Sequence, residues 1–323
     1  MANSYGDQFD INGEQSVWNA SSLKAWEKCP RYYFYTIIEG WRSRGNESVH
    51  LTFGSHYAHA LMRYWQLRAE GMTRMDATCE VVRELLERTW DRSHRYNNDG
   101  YCEYCGAGMG QLDDDGEFLK CRGRPWTTDH AKSRFTLIRS FVWYLEEFRK
   151  DIPLMQTADG PAVELQFRFA VDGDNFFVGT LDRVVEYDGA PWVMDQKTTG
   201  SALGPYYFNG YHLDTQMSMY TFAGQAVFNL PVAGVIIDAA EIKVGFTRFG
   251  RGLTYRTKSQ LNEWYDEAMQ QIEDARRAVR EQRFPRRTTS CGNYGGCTFR
   301  EICSKPKEVR GNFLRSAFMK EEK

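Results

Sequence analysis

Apolar and polar positions alternate along this chain in two different rhythms, and the changes of rhythm mark its organisation. Residues 1–20 carry neither period and read as an irregular arm. Ser21-Ser22 then stands as a helix N-cap before LKAWEKC, and Pro30 interrupts the pattern. Residues 55–70 and 75–95 have helical spacing with polar faces. Residues 96–129 lose the period, are rich in Gly, Asp and Asn, and read as an insertion. Residues 131–150 return to a strong amphipathic helix. From 161 to 198 the period drops to two: AVELQFRFAV and FFVGTLDRVVEY alternate, and PWVMDQKTT follows a turn. Helical spacing resumes over 213–228, a strand is predicted over 232–247, and a long helix over 259–282. No internal repeat or low-complexity linker occurs. The expected units are a helical N-terminal part (1–95), a Cys-rich insertion (96–130), a core (131–285) and a Cys-rich tail (286–323).

With 323 residues the chain can bury a large core. Its formal charge of −2 excludes a wholly basic nucleic-acid coat but not a local basic groove, and Arg276–Arg287 is strongly basic. The polar N-terminus shows no signal-peptide pattern and no apolar run has the length of a membrane span, so a cytoplasmic location is expected. In a reducing compartment its eight cysteines point to metal or redox chemistry rather than to disulfides.

The chemistry-bearing segment is GTLDRVVEYDGAPWVMDQKTTG. Asp188-Gly189 is a turn signal between two β-prone runs. A turn centred on Gly189-Ala190 would set Tyr187 opposite Trp192, Val184 opposite Asp195 and Asp182 opposite Lys197. Asp195 and Lys197 share a strand face, and Asp182 joins them from the neighbouring strand. Two carboxylates and one ammonium then converge beside an apolar strand, Trp192-Val193-Met194. Two close carboxylates repel unless a cation lies between them, and a hard divalent ion such as Mg²⁺ or Mn²⁺ suits such a set. A lysine there can orient water or stabilise charge on a phosphate.

These residues also resemble a family. Gly179-Thr-Leu-Asp182 followed by Asp195-Gln-Lys197 is similar to the core of the PD-(D/E)XK nucleases, in the branch of RecB-like and CRISPR-associated exonucleases. Ser22-Leu-Lys-Ala-Trp-Glu-Lys-Cys29-Pro30-Arg-Tyr-Tyr resembles that branch's N-terminal motif, and Gln216-Met-Ser-Met-Tyr220 its glutamine–tyrosine helix motif. The resemblance implies an α/β restriction-endonuclease-like core. It implies Asp182 and Asp195 as metal ligands, with Lys197 as the catalytic lysine. The carbonyl of Gln196 would be within reach of the metal, and Gln216 and Tyr220 would line the DNA-facing side. It further implies a histidine ligand on an early helix. Here His59 is the expected ligand and His56 its alternative; the position four residues after Gly54, where the family's histidine falls, is Ala58.

Two cysteine groups remain. Cys102-x2-Cys105-x15-Cys121 in the insertion reads as a structural Zn²⁺ site, with His130, His94 and Cys79 as candidates for the fourth ligand. For the tail, the resemblance implies a [4Fe–4S] cluster held by Cys29, Cys291, Cys297 and Cys303, with Zn²⁺ as the competing occupant. The expected activity is phosphodiester hydrolysis of DNA, at single strands or ends, in recombination, repair or phage replication. A recombination or replication protein is the expected partner. The alternatives are an RNA-directed nuclease and a catalytically silent DNA-binding scaffold.

Overall fold

The computed structural model describes residues 8–44, 48–158, 160–229, 231–293 and 296–320; the start of the expected N-terminal arm lies outside them. Six strands form one mixed sheet: β1 (Val17–Trp18), β2 (Val163–Asp172), β3 (Asn175–Tyr187), β4 (Ala190–Thr199), β5 (Gly234–Ile242) and β6 (Thr247–Thr254). β3 pairs antiparallel with β2 along one edge. Along its other edge it pairs first with β1, in parallel, and then with β4, antiparallel. β4 runs parallel to β5, and β6 closes the sheet antiparallel to β5.

Helices cover both faces. On one face α1 (Ala20–Lys28), α6 (Thr215–Val227) and α7 (Lys258–Arg280) bury Leu23, Trp26, Met217, Met219, Trp264 and Ile272 against Phe177, Leu181, Val184, Val193 and Ile237. On the other, α2 (Val49–Ala69), α3 (Arg74–Arg88) and α4 (Arg134–Glu147) form a second core around Phe53, Tyr57, Leu61, Val81 and Phe141, against Ala240 and Ile242. Because both sides are covered, β5 is buried along its whole length, and its continuous GVIIDAAEI run follows from that.

Three sequence expectations need correction. The cap of α1 is Asn19, not Ser21-Ser22; Ser22 returns the bond from the third position of the helix, making a capping box. The expected strand over 232–247 is β5 followed by a turn into β6. The β3–β4 hairpin turns on Asp188 and Gly189, whose φ values of 51° and 71° suit a two-residue hairpin with both centres left-handed. The pairs are therefore Tyr187 with Ala190 and Arg183 with Met194, two residues from the expected register. A shift of two preserves which face each side chain occupies, so the convergence of Asp182 with Asp195 and Lys197 survives.

The insertion is closed at its base by a two-residue ladder, Trp90–Asp91 with Arg124–Pro125. Gly123 beside it has φ +82°, and a Cβ there would meet the Trp90 indole at 2.4 Å.

Candidate active site

The β3–β4 ladder ends at the pair Arg183 with Met194, and the two strands part there. In the opening, the backbone N–H of Gln196 donates to Asp182 Oδ2 at 2.9 Å instead of to a strand carbonyl. At the splay a pocket is lined by Asp182 and Gln196. Lys197 Nζ lies 2.5 Å from Asp195 Oδ2 and donates to Gln216 Oε1 at 3.1 Å; Gln216 Nε2 donates to the Tyr220 hydroxyl at 2.8 Å. Asp195, Lys197, Gln216 and Tyr220 thus form one chain of contacts between β4 and α6, with Asp214 capping α6 at its start.

The electrostatics agree with a site made for a cation. Burial, together with the nearby Asp195 charge, pushes the Asp182 carboxyl up to about 7. Asp195 is raised too, by burial, against the pull of Lys197. Lys197 is held charged: burial opposes this, but Asp195 and Asp182 outweigh it. A divalent ion would reverse the carboxylate shifts.

A third carboxylate that sequence reasoning missed stands beside these. The pairs Val163 with Arg183 and Leu165 with Leu181 place Glu164 opposite Asp182. Glu164 has φ +53°, a strained conformation for a residue with a side chain, and burial raises its carboxyl. It lines one pocket with Ala58, Leu61, Trp65, Asp182, Arg183 and Gln196. In the sequence it looks like any polar residue on the outer face of an alternating strand.

The same pocket corrects the histidine expectation. α2 crosses the end of β4 at Gly54, where a Cβ would come within 3.3 Å of Thr198 Oγ1, and one turn later it is Ala58 that faces the pocket. His59 points instead to α3, with Nε2 4.0 Å from Glu84 and 3.3 Å from Arg88. His56 packs on Trp126. Neither histidine is brought to the carboxylates.

Beneath the site lies a charged network that no sequence signal indicated. Arg183 bridges Asp151 at 3.0 Å and Asp238 at 2.9 Å; Arg251 bridges the same pair at 2.6 and 3.2 Å; Tyr144 donates to Asp238. Gln196 Nε2 also donates to Asp238, at 3.0 Å. Gln196 therefore ties β4 to a fixed array on the opposite face.

Both cysteine groups assemble. His94, Cys102, Cys105 and Cys121 place their ligand atoms within 4.8 Å of one another. Cys102 Sγ and Cys121 Sγ are 3.8 Å apart, about the separation that metal–sulfur bonds of roughly 2.3 Å give at a tetrahedral centre. His94 Nε2 faces the Leu119 carbonyl at 2.6 Å, which leaves Nδ1 for a metal. Burial works against the Cys102 thiolate, but the Tyr104 and Cys105 backbone N–H groups and His94 outweigh it and bring the thiol down to about 5. His94 is thus the fourth member of the cluster; His130 and Cys79 are outside it. Cys29, Cys291, Cys297 and Cys303 line a single cavity with Lys28, Arg286, Arg287 and Arg300. Arg287 N donates to Cys29 Sγ at 3.4 Å. Four thiols ringed by cations fit an anionic metal–thiolate group.

A mixed sheet between two helical layers, splayed around two aspartates and a lysine, is the architecture of a restriction-endonuclease-like nuclease. Residues 17–304 match the PD-(D/E)XK nuclease superfamily, and the chain belongs to that superfamily. No curated protein matches the sequence significantly. Among solved structures, one similar chain is a Eubacterium rectale protein provisionally described as an exonuclease: 13% identical, TM-score 0.49, covering 95% of this chain and 94% of that one. Another is SSO0001: 11% identical, TM-score 0.29, covering 80% and 77%. The assignment rests on the superfamily match and the site, not on these distant likenesses. Among the described residues no helix is long and apolar enough to cross a membrane.

Proposed function

We propose that this protein is a divalent-metal-dependent DNA exonuclease of the RecB-like branch, acting on single-stranded ends in recombination, repair or phage replication alongside a recombination or replication protein. The observation that carries the reading is the splayed opening, in which Asp182 and Asp195 are both held above their ordinary range beside a charged Lys197. Asp182, Asp195 and the Gln196 carbonyl would hold Mg²⁺ or Mn²⁺, with Glu164 in place of the expected histidine. The ion supplies a polarised phosphate and a more acidic water. Lys197, fixed by Asp195 and Gln216, orients the attacking water and stabilises charge on the phosphate. Gln216 and Tyr220 hold that lysine in place from α6.

The Cys29, Cys291, Cys297 and Cys303 set is read as a [4Fe–4S] site that ties the N-terminal helix to the tail, and the His94, Cys102, Cys105 and Cys121 set as structural Zn²⁺. The deciding experiment incubates end-labelled single-stranded DNA, duplex DNA and matched RNA with the purified protein in Mg²⁺, Mn²⁺ or EDTA. Metal-dependent release of end nucleotides from single-stranded DNA, lost in Asp195→Asn and Lys197→Ala, is expected. Preferential RNA cleavage, or activity that survives either substitution, overturns the reading. Anaerobically purified protein should be brown; a colourless protein carrying a second zinc overturns the cluster assignment in favour of zinc.

A further inference from the structure

Between β4, which carries Asp195 and Lys197, and α6, which carries Gln216 and Tyr220, the chain forms the short helix α5 (Pro205–Asn209). Its aromatic residues are treated unequally. Tyr207, Phe208 and Tyr211 pack against the main core, whereas Tyr206 is 96% exposed; Leu213, farther along the same segment, is 90% exposed. Tyr207 and Tyr211 set their hydroxyls 3.0 Å apart, and the charges of Lys197 and Asp195 are felt at the Tyr207 hydroxyl.

The segment is also pinned. Phe208 packs so closely on β6 that a Cβ at Gly252 would lie 2.2 Å from its ring, and Leu203 sits over Gly250. Lys243 Nζ donates to the Gly200 carbonyl at 2.7 Å at one end, and Arg256 donates to the Tyr211 carbonyl at 3.0 Å at the other. A bulky aromatic ring is therefore held out into water on a fixed support, in the segment that joins β4 to α6. Pinning of this kind reduces the entropy lost on binding. Arg248 stands on the same face of β6 as Gly250 and Gly252, and it is exposed.

We propose that α5 is a base-stacking platform: Tyr206 takes the face of an unpaired nucleobase in the strand whose phosphate meets Lys197, and Arg248 contacts that strand's backbone. The proposal rests on the nuclease reading and names its substrate class. Stacking on an aromatic ring is tolerant of sequence, because every base has a π-face. It discriminates against the interior of a duplex, whose bases have both faces covered by their neighbours. Leu213 extends the apolar edge.

The test measures binding of the full-length protein, in Ca²⁺ so that no strand is cut, to fluorescent oligothymidylate and to a blunt duplex. Tyr206→Ala should lose roughly tenfold in single-strand affinity, in line with one base stack, and leave duplex affinity unchanged. Tyr206→Trp should retain single-strand affinity. The salt dependence of binding should be the same in all three proteins, since no phosphate contact is removed. An oligonucleotide series with one abasic position should weaken wild-type binding at a single register and have no such effect on Tyr206→Ala. Equal losses on single strand and duplex, or no loss on either, overturn the platform. If wild type cuts DNA in an Asp195-dependent manner and Tyr206→Ala binds single strands normally, the platform alone falls. If wild type neither binds nor cuts DNA, the nuclease reading falls with it.

Discussion

Substituting Asp182 by Asn should make the metal-free protein more stable while destroying its activity. The amide is nearly the same shape, and its oxygen can still accept the Gln196 N–H that Asp182 Oδ2 accepts at 2.9 Å. What is removed is a carboxyl displaced from 3.8 to about 7 by burial and by Asp195. Between those two values the folded protein retains a proton that the unfolded chain has released. Stability contributed by this group therefore falls as pH rises through that window, and the full cost is present above it. At about 1.4 kcal/mol per tenfold, the ceiling is roughly 4 kcal/mol. Asp195 shares the strain and Lys197 offsets part of it, so a recovery of about 1–2 kcal/mol is expected, or roughly 1.5–3 °C in a chain of this size. Thermal denaturation in EDTA from pH 4 to pH 8 measures it. The variant should match wild type near pH 4 and exceed it above pH 7. In saturating Mn²⁺ the order should reverse, because a ligand at about a hundred times its Kd stabilises wild type by roughly 2.7 kcal/mol and the variant loses that gain. A variant less stable than wild type at pH 8 in EDTA, or a gap independent of pH, refutes the reasoning.

Other expectations follow from the same contacts. Asp238→Ala leaves Arg183 and Arg251 short of a buried partner and should cost about 3–5 kcal/mol in chemical denaturation; a loss below 1 kcal/mol would mean that water already satisfies the arginines. Full-length protein should carry about one zinc per chain by elemental analysis, and His94→Ala should lose it or bind it more weakly, whereas Cys79→Ala should not. Zinc retained at full affinity in His94→Ala refutes the four-ligand site. His59→Ala should leave metal-dependent cleavage within about threefold of wild type, while Glu164→Gln should weaken Mn²⁺ binding measured by calorimetry; the opposite pattern restores the histidine.

The sequence by itself determined the local grammar. Alternation with a period of two located β2, β3 and β4, and the placement of Asp195 and Lys197 on one face follows from strand geometry alone, whatever their partners. Helical spacing located α4, α6 and α7 within a few residues, and α2 except for its first six residues. The pattern Cys-x2-Cys marked the insertion site because a knuckle of that spacing is a local structure. What required the tertiary fold were relations between segments distant in the chain. The register of the β3–β4 hairpin was settled by which residues take left-handed φ, and its splay by the Gln196–Asp182 bond. Which residue of α2 faces the pocket depends on how the helix crosses β4, and Gly54 packed against Thr198 turns Ala58, rather than His59, inward. Glu164 gained meaning only once β2 lay beside β3. His94 joined the three cysteines because the ladder at Trp90 and Arg124 folds the insertion back on itself. Sequence spacing reports the direction of a side chain along its own element; which partner it meets is set by packing between elements, where one turn of a helix or two residues of register exchange one neighbour for another.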